Sequence, residues 1–379
     1  MKIGIDASRY GHKEATGVEW YSFYIINALL KLILSSTKDE IILYCRNQPE
    51  FPSEIKNLIK QNSNRISIKV LKAKRFWTLW ALSKEIKNNP PDTLFIPSHT
   101  LPRSLSKRNV IMIHDVAFRR FPKSYSFRQY LYLNFSTKAA VKKASKILVP
   151  SKATADDIKK FFNCDPDKLE VIPHGYKAKS FSDKEIDDAM IHSEVFQHFG
   201  IHKNSKFFFY IGRIESKKNI LRLLKAFKLF SVAHPKYRLI LAGKRGHGFK
   251  QIFIKAAELE LMDKVLMPGY ITEIEKVALY KYCQAFVFPS LYEGFGLPIL
   301  SGFYYGKPVL CSNTSSIPEV AGDAAHYVDP LDENSIRDGL EKIVMDKEYV
   351  DRLVSKGKKR LEHFSWEKSS KKTLTAIYG

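Results

Sequence analysis

The sequence predicts an α/β protein built from two parallel-sheet domains, and three observations carry that expectation. Short apolar runs alternate with amphipathic stretches from end to end, the pattern of parallel strands covered by helices. The rhythm stops in a charged stretch at 177–205 and then restarts. The 379 residues are too many for one ordinary core and comfortable for two.

The first set of strands is expected at 2–6, 41–45, 66–70, 93–96, 110–114, 146–150 and 169–172. The second set is expected at 207–211, 238–242, 265–267, 285–289, 308–311 and 325–328. A helix is expected at 21–34, after a loop at 9–19. The first domain then covers 1–175 and the second 176–361, with the linker near Gly175. No tandem repeat is present, so the duplication is one of fold type only.

The start, MKIGID, is too short and too quickly polar for a signal peptide, and no uninterrupted apolar run of about 18 residues suggests a membrane span. Cys45, Cys164, Cys283 and Cys311 lie far apart without a CxxC pair, which points to reduced thiols in a cytoplasmic protein rather than a disulfide frame or a zinc site. The formal charge of +23 is unevenly placed: between Lys69 and Lys146 the only acids are Glu85, Asp92 and Asp115. Such a field attracts nucleic acid, anionic membrane or phosphorylated substrates.

The richest segment is FPSLYEGFGLPILS, 288–301, directly after an apolar run. A strand ending there, a Gly-rich turn and a helix starting near Leu297-Pro298 would aim the backbone N–H groups of Gly294, Phe295, Gly296 and Leu297 at one spot. That is a cradle for phosphate or a sugar hydroxyl, with the Glu293 carboxylate beside it. A plain strand–turn–helix connection would use Gly294 and Gly296 only for their dihedral freedom. The full string favours a site.

Arg213 and Lys218, in YIGRIESKKN at 210–219, precede an amphipathic helix beginning near Asn219. A guanidinium fork and a point charge at a helix mouth form an anion site. Lys217 competes with Lys218 for that role. His114 is expected at a strand's carboxyl end, where open parallel sheets place ligands. Gly17 either lets backbone approach a phosphate or simply turns the chain before a helix.

The 288–301 string resembles the EGFGLPxxE signature of glycosyltransferase family 4. Other landmarks resemble that family in the right order: Gly17, His114-Asp115, PSK at 150–152, VIPHGY at 171–176, the 210–219 element, LAG at 241–243, PGYI at 268–271 and IPEVAG at 317–322. The resemblance implies the GT-B fold, two Rossmann-like domains with parallel sheets facing across a cleft, the last helix (362–379) crossing back to the first domain. It implies retaining transfer of a hexose from a nucleotide-diphosphate sugar to a glycan or lipid-linked acceptor, with no metal and no cofactor. The first domain would bind acceptor and the second the donor. Arg213 and Lys218 would hold the diphosphate, with the family register pointing to Lys218. Glu293, Gly294–Leu297, Tyr270, Ile271 and Gly17 would hold the donor, and His114 would face the reacting centre. A donor phosphate oxygen would accept the acceptor's proton.

One departure stands out. The family's second glutamate, eight positions after the first, holds the ribose, and here Ser301 occupies that position. A hydroxyl lacks the charge and bidentate reach of a carboxylate, and Glu319 is the alternative contact. The basic belt also carries aromatic residues, among them Phe76, Trp77, Trp80, Phe127, Tyr132 and Phe135. Basic and aromatic groups together suit a membrane interface, while single-stranded nucleic acid and ordinary helix cores use the same residues. The family's lipid-linked acceptors favour a cytoplasmic enzyme peripheral on the inner face of the membrane, with no nucleic-acid partner. A nucleotide-sugar epimerase of the same architecture and a non-catalytic nucleotide-sugar-binding protein are the other readings.

Overall fold

A computed structural model describes residues 1–11, 17–73 and 75–379. Part of the loop at 9–19, and Lys74 of the basic belt, lie outside the described residues. The chain forms two compact units. The first comprises Met1–Pro122, Ser126–Gly175 and Phe364–Gly379; the second comprises Lys123–Tyr125 and Tyr176–His363.

The first unit holds β1 (Lys2–Asp6), β2 (Glu40–Cys45), β3 (Ile66–Val70), β4 (Thr93–Ile96), β5 (Arg108–Met112), β6 (Lys146–Val149) and β7 (Leu169–Val171). All pair in parallel, in the order β3-β2-β1-β4-β5-β6-β7. The order reverses between β1 and β4, so the chain leaves these strands toward opposite faces and a crevice opens at their carboxyl ends. Ile3, Ile5, Phe95 and Met112 are fully buried, as a sheet covered on both faces requires.

Helix α1 (Gly17–Ser36) buries Ile25, Ile26, Leu29 and Ile33 in this core. It is long and apolar enough to cross a membrane by length and composition, a property that the expected absence of long apolar runs did not anticipate. Its apolar stripe is used inside the unit, packed with Leu374 and Ile377 of the last helix. Helix α2 (Phe127–Lys143) exposes Phe127 and Phe135.

The second unit holds β8 (Phe207–Ile211), β9 (Arg238–Ala242), β10 (Val265–Gly269), β11 (Ala285–Phe288), β12 (Val309–Ser312) and β13 (His326–Val328). Their order is β10-β9-β8-β11-β12-β13, again all parallel, with the reversal between β8 and β11. Helix α3 (Ile220–Ala233) follows β8 and helix α4 (Leu297–Tyr304) follows β11. The charged stretch at 177–205 contains helices Asp183–His192, started by a Ser182/Glu185 capping box, and Glu194–His198.

The last helix, α5 (Trp366–Tyr378), belongs to the first unit. The Arg108 guanidinium donates to the Ala376 carbonyl at 2.9 Å, and Ser369 Oγ donates to the Pro173 carbonyl at 2.6 Å. A Cβ on Gly175 would lie 2.3 Å from the Trp366 nitrogen, so only glycine lets the returning chain pass there.

Two local expectations change, and one open alternative is decided. Strand β5 ends at Met112, two residues before His114, although the Ile113 N–H still bonds the Leu148 carbonyl at 2.9 Å. Gly17 opens α1 instead of standing in a loop ahead of it. Trp77 is 1% exposed, with its indole N–H bonded to the Leu71 carbonyl at 2.6 Å, so it is a core residue; Trp80 is 58% exposed.

Candidate active site

In the second unit the chain segments beyond β8, β9 and β11 carry most of the expected donor residues. Gly243, just after β9, has φ +133, and a Cβ on it would lie 2.0 Å from the Gly212 carbonyl oxygen. The backbones beyond β8 and β9 therefore touch, and any side chain at 243 would push them apart. Sequence reading placed LAG only as a landmark; the missing signal was which strands are neighbours.

Beyond β11, Gly296 at φ +113 ends the loop and α4 begins at Leu297 with no side chain capping it. Proline at its second position has no N–H to leave unpaired. Helix α3 also starts without a side-chain cap, from Asn219 in the left-handed region. Two uncapped helix starts leave backbone donors and the positive ends of two dipoles for an anion.

Glu293 and Lys218 form an ion pair of 2.6 Å, with side chains 13% and 14% exposed. Lys218 Nζ also lies 5.8 Å from the centre of the Phe288 ring. Lys217 points elsewhere, with Nζ 3.4 Å from Glu215, while its carbonyl accepts the Leu291 N–H at 3.0 Å. That backbone bond ties the lysine turn to the glutamate loop. Arg213 is 65% exposed and its Nε is 3.6 Å from the buried Glu215. The structure thus joins Lys218 to Glu293 and sets Arg213 on a different carboxylate.

The glutamate loop is held from behind by residues that sequence reading passed over. Ser315 Oγ accepts the Glu293 N–H at 2.9 Å and lies 2.7 Å from its carbonyl oxygen. Ser316 Oγ is 2.9 Å from the carbonyls of both Glu293 and Phe295. The run of small polar residues at 313–316, between β12 and the IPEVAG landmark, was the available signal.

The other expected donor contacts divide by exposure. Phe295 and Ile271 are 6% exposed, so each can offer a ligand little beyond its backbone, whereas Tyr270 is 52% exposed and stacks near Lys244. Ser301 Oγ accepts a hydrogen bond from the Tyr176 hydroxyl at 3.2 Å. The backbone carbonyl of Glu319 accepts from Arg360.

In the first unit, His114 Nε2 lies 3.0 Å from the Pro97 carbonyl. A carbonyl only accepts, so Nε2 carries the proton and Nδ1 keeps its lone pair. Burial pushes the pKa of His114 down to about 4, so the ring is neutral near pH 7. It stacks on His174, centroids 5.4 Å apart and planes 10° apart, and Tyr21 meets both rings edge-on. Burial, then the neighbouring His114, holds His174 well below the ordinary histidine range. A neutral ring of this kind can accept a hydrogen bond from a hydroxyl but cannot act as a general acid near pH 7. Gly17 is exposed at the start of α1.

Residues 192–360 match the family described as glycosyl transferases group 1, and residues 15–179 match glycosyltransferase family 4. The Escherichia coli O-antigen chain mannosyltransferase B is 30% identical over 281 residues, covering 74% of this chain and 72% of that one. The chain belongs to glycosyltransferase family 4. Another relative, the O-antigen chain mannosyltransferase RfbU of Salmonella typhimurium, is 27% identical over 347 residues, 89% of this chain and 90% of its own. Among solved structures, Anabaena HepE in complex with UDP and glucose superposes with a TM-score of 0.70 at 16% identity, over 100% of this chain and 99% of that one. Both units are the Rossmann-like domains of the GT-B fold, and the family supplies the context in which their strand-end residues are read.

Proposed function

We propose that this family 4 enzyme is a retaining hexosyltransferase that moves a sugar from a nucleotide-diphosphate donor to a glycan or lipid-linked acceptor in cell-surface polysaccharide synthesis. The observation that carries the reading is the Lys218–Glu293 pair beside the loop that enters the uncapped start of α4. As the glycosidic bond breaks, the diphosphate gains negative charge. Lys218, drawn from Glu293, stabilises that charge together with Arg213 and the backbone N–H groups at the uncapped helix starts. Glu293 offers its carboxylate to sugar hydroxyls, and His114, neutral with an acceptor nitrogen, accepts a hydrogen bond from a substrate hydroxyl without taking its proton.

The reading needs no protein base: a donor phosphate oxygen takes the acceptor's proton on the face the leaving group occupied, which retains the anomeric configuration. Cations fill the electrostatic role of a metal. The relatives' names make mannose the first sugar to try. The enzyme works in the cytoplasm, on the inner face of the membrane, in keeping with its basic first unit.

The test is incubation with GDP-mannose, UDP-glucose and UDP-N-acetylglucosamine, with a mannoside acceptor and EDTA present, followed by NMR of the product's anomeric proton. An α-linked product from an α-donor supports the reading. An inverted product, loss of all turnover on chelation, or a free epimerised nucleotide sugar contradicts it.

A further inference from the structure

A cavity of about 370 Å³ opens in the first unit at the carboxyl ends of β1, β2 and β4, where the strand order reverses. Its size falls in the range of small-molecule sites, roughly 300–1,000 Å³, but its walls are far more polar than the usual drug-sized pocket. Ser8, Ser98 and Thr100 bring hydroxyls to it, and Glu19 brings a carboxylate. His99 also lines it; burial lowers its pKa, so its neutral ring offers one donor and one acceptor. Hydroxyls, a carboxylate and a neutral imidazole are the groups that pair with the hydroxyls of a sugar.

The two arginines on the wall differ. Arg9 is already paired with Glu19 at 3.0 Å. Arg46 has no ion pair or hydrogen-bonded acid among the described residues, although the buried Asp6 carboxylate feels its charge; its guanidinium lies 5.8 Å from the centre of the Trp77 ring. That ring is fixed by burial and by its bond to Leu71, so it is a rigid plane beside a charge with no acid bonded to it. At the mouth stands Phe76, 61% exposed at φ +51, a conformation that bulky residues rarely hold without a local reason.

We propose that this pocket receives the acceptor, and that the unit it recognises is a sugar carrying an anionic group, phosphate or carboxylate, held by Arg46. The proposal rests on the reading of the first unit as the acceptor side of a glycosyltransferase. It adds the location, the residues and the charge of the acceptor unit.

The test measures binding of four probes to the full chain by calorimetry: mannose 1-phosphate, glucuronate, methyl α-mannoside and inorganic phosphate. At least one acidic sugar should bind tenfold or more tightly than the neutral mannoside and than phosphate, and which one binds separates phosphate from carboxylate as the anion. Arg46→Gln should bring that affinity down to the level of the neutral sugar, while Lys218→Ala should keep it. Acidic sugars that bind no better than the mannoside, phosphate that binds as well as the sugar phosphate, or binding lost in Lys218→Ala and kept in Arg46→Gln would each overturn the proposal. Donor turnover in Lys218→Ala is read separately. Its persistence removes the assignment of the second unit's site without bearing on the Arg46 result.

Discussion

Lys218 Nζ and Glu293 Oε1 lie 2.6 Å apart although 75 residues separate them in sequence. Both are largely withdrawn from water, so under the proposed function a donor diphosphate that recruits Lys218 would compete with the Glu293 carboxylate for the same ammonium. On the proposed reading, the pair would link occupation of the phosphate site to release of the carboxylate for the sugar.

Lys218→Ala should lower kcat/KM by at least about 100-fold, the scale of one preorganised electrostatic donor. It should also lower stability by about 1–3 kcal/mol, since Glu293 is left without its cation in a partly dry site. Restoring stability but not activity in Lys218→Ala/Glu293→Gln, by urea denaturation and initial rates, is the expected pattern. Arg213→Ala, at an exposed side chain, should cut turnover on a similar scale and leave stability within about 0.5 kcal/mol. Normal turnover in both single variants removes the cations from the reaction.

The histidine stack makes the fold acid-sensitive. His114 titrates near 4 in the native state and near the ordinary value of about 6.5 when unfolded. Between those values the unfolded chain binds the extra proton, so stability rises with pH through this window and is lost as pH falls. His174, lowered in the same direction, adds to the slope. Denaturation midpoints at pH 4.5, 5.5 and 7 should fall toward acid, by up to roughly 1.4 kcal/mol per pH unit for each proton. His114→Gln and His174→Gln should each flatten that slope, and a slope identical to wild type in both contradicts the assignment.

At the position of the missing glutamate, Tyr176 already donates to Ser301. Ser301→Glu alone should therefore tighten nucleotide binding only weakly, because the new carboxylate is taken up by the tyrosine. In Tyr176→Phe/Ser301→Glu the gain should reach about 1–2 kcal/mol, the value of a charge-assisted hydrogen bond. Titration calorimetry with GDP and UDP measures both. Weaker binding in the double variant, with the fold intact, moves the ribose contact to Glu319.

The two tryptophans of the basic belt should behave oppositely. Trp80 is exposed, with Arg103 4.6 Å from its ring centre, and Trp80→Ala should reduce sedimentation with anionic vesicles without loss of stability. Trp77→Ala should cost about 3–5 kcal/mol through the cavity it leaves. Lys72→Ser with Arg75→Ser should weaken vesicle binding in a salt-dependent way. Equal partitioning of wild type to neutral and anionic vesicles removes the membrane from the proposed function.

By itself the sequence determined the strands of both sheets, because each is a short apolar run whose burial needs only local composition: FFFYI at Phe207–Ile211 and RLILA at Arg238–Ala242 could hardly be anything else. It also determined where α4 starts, since the dihedrals that Gly296 permits and the missing N–H of Pro298 are properties of single residues. The tertiary structure decided what no local pattern encodes. Whether a residue in a basic, aromatic stretch faces water or the core depends on what packs over it, so Trp77 and Trp80 were indistinguishable until placed. Whether Lys217 or Lys218 meets Glu293 depends on the turn between β8 and α3 lying against the loop after β11, two strands adjacent only in space. The stack of His114 on His174, and the contact of Gly243 with Gly212, have the same origin. Periodicity fixes which face of an element is dry, but a pair of side chains is fixed only by the order in which the strands are laid side by side.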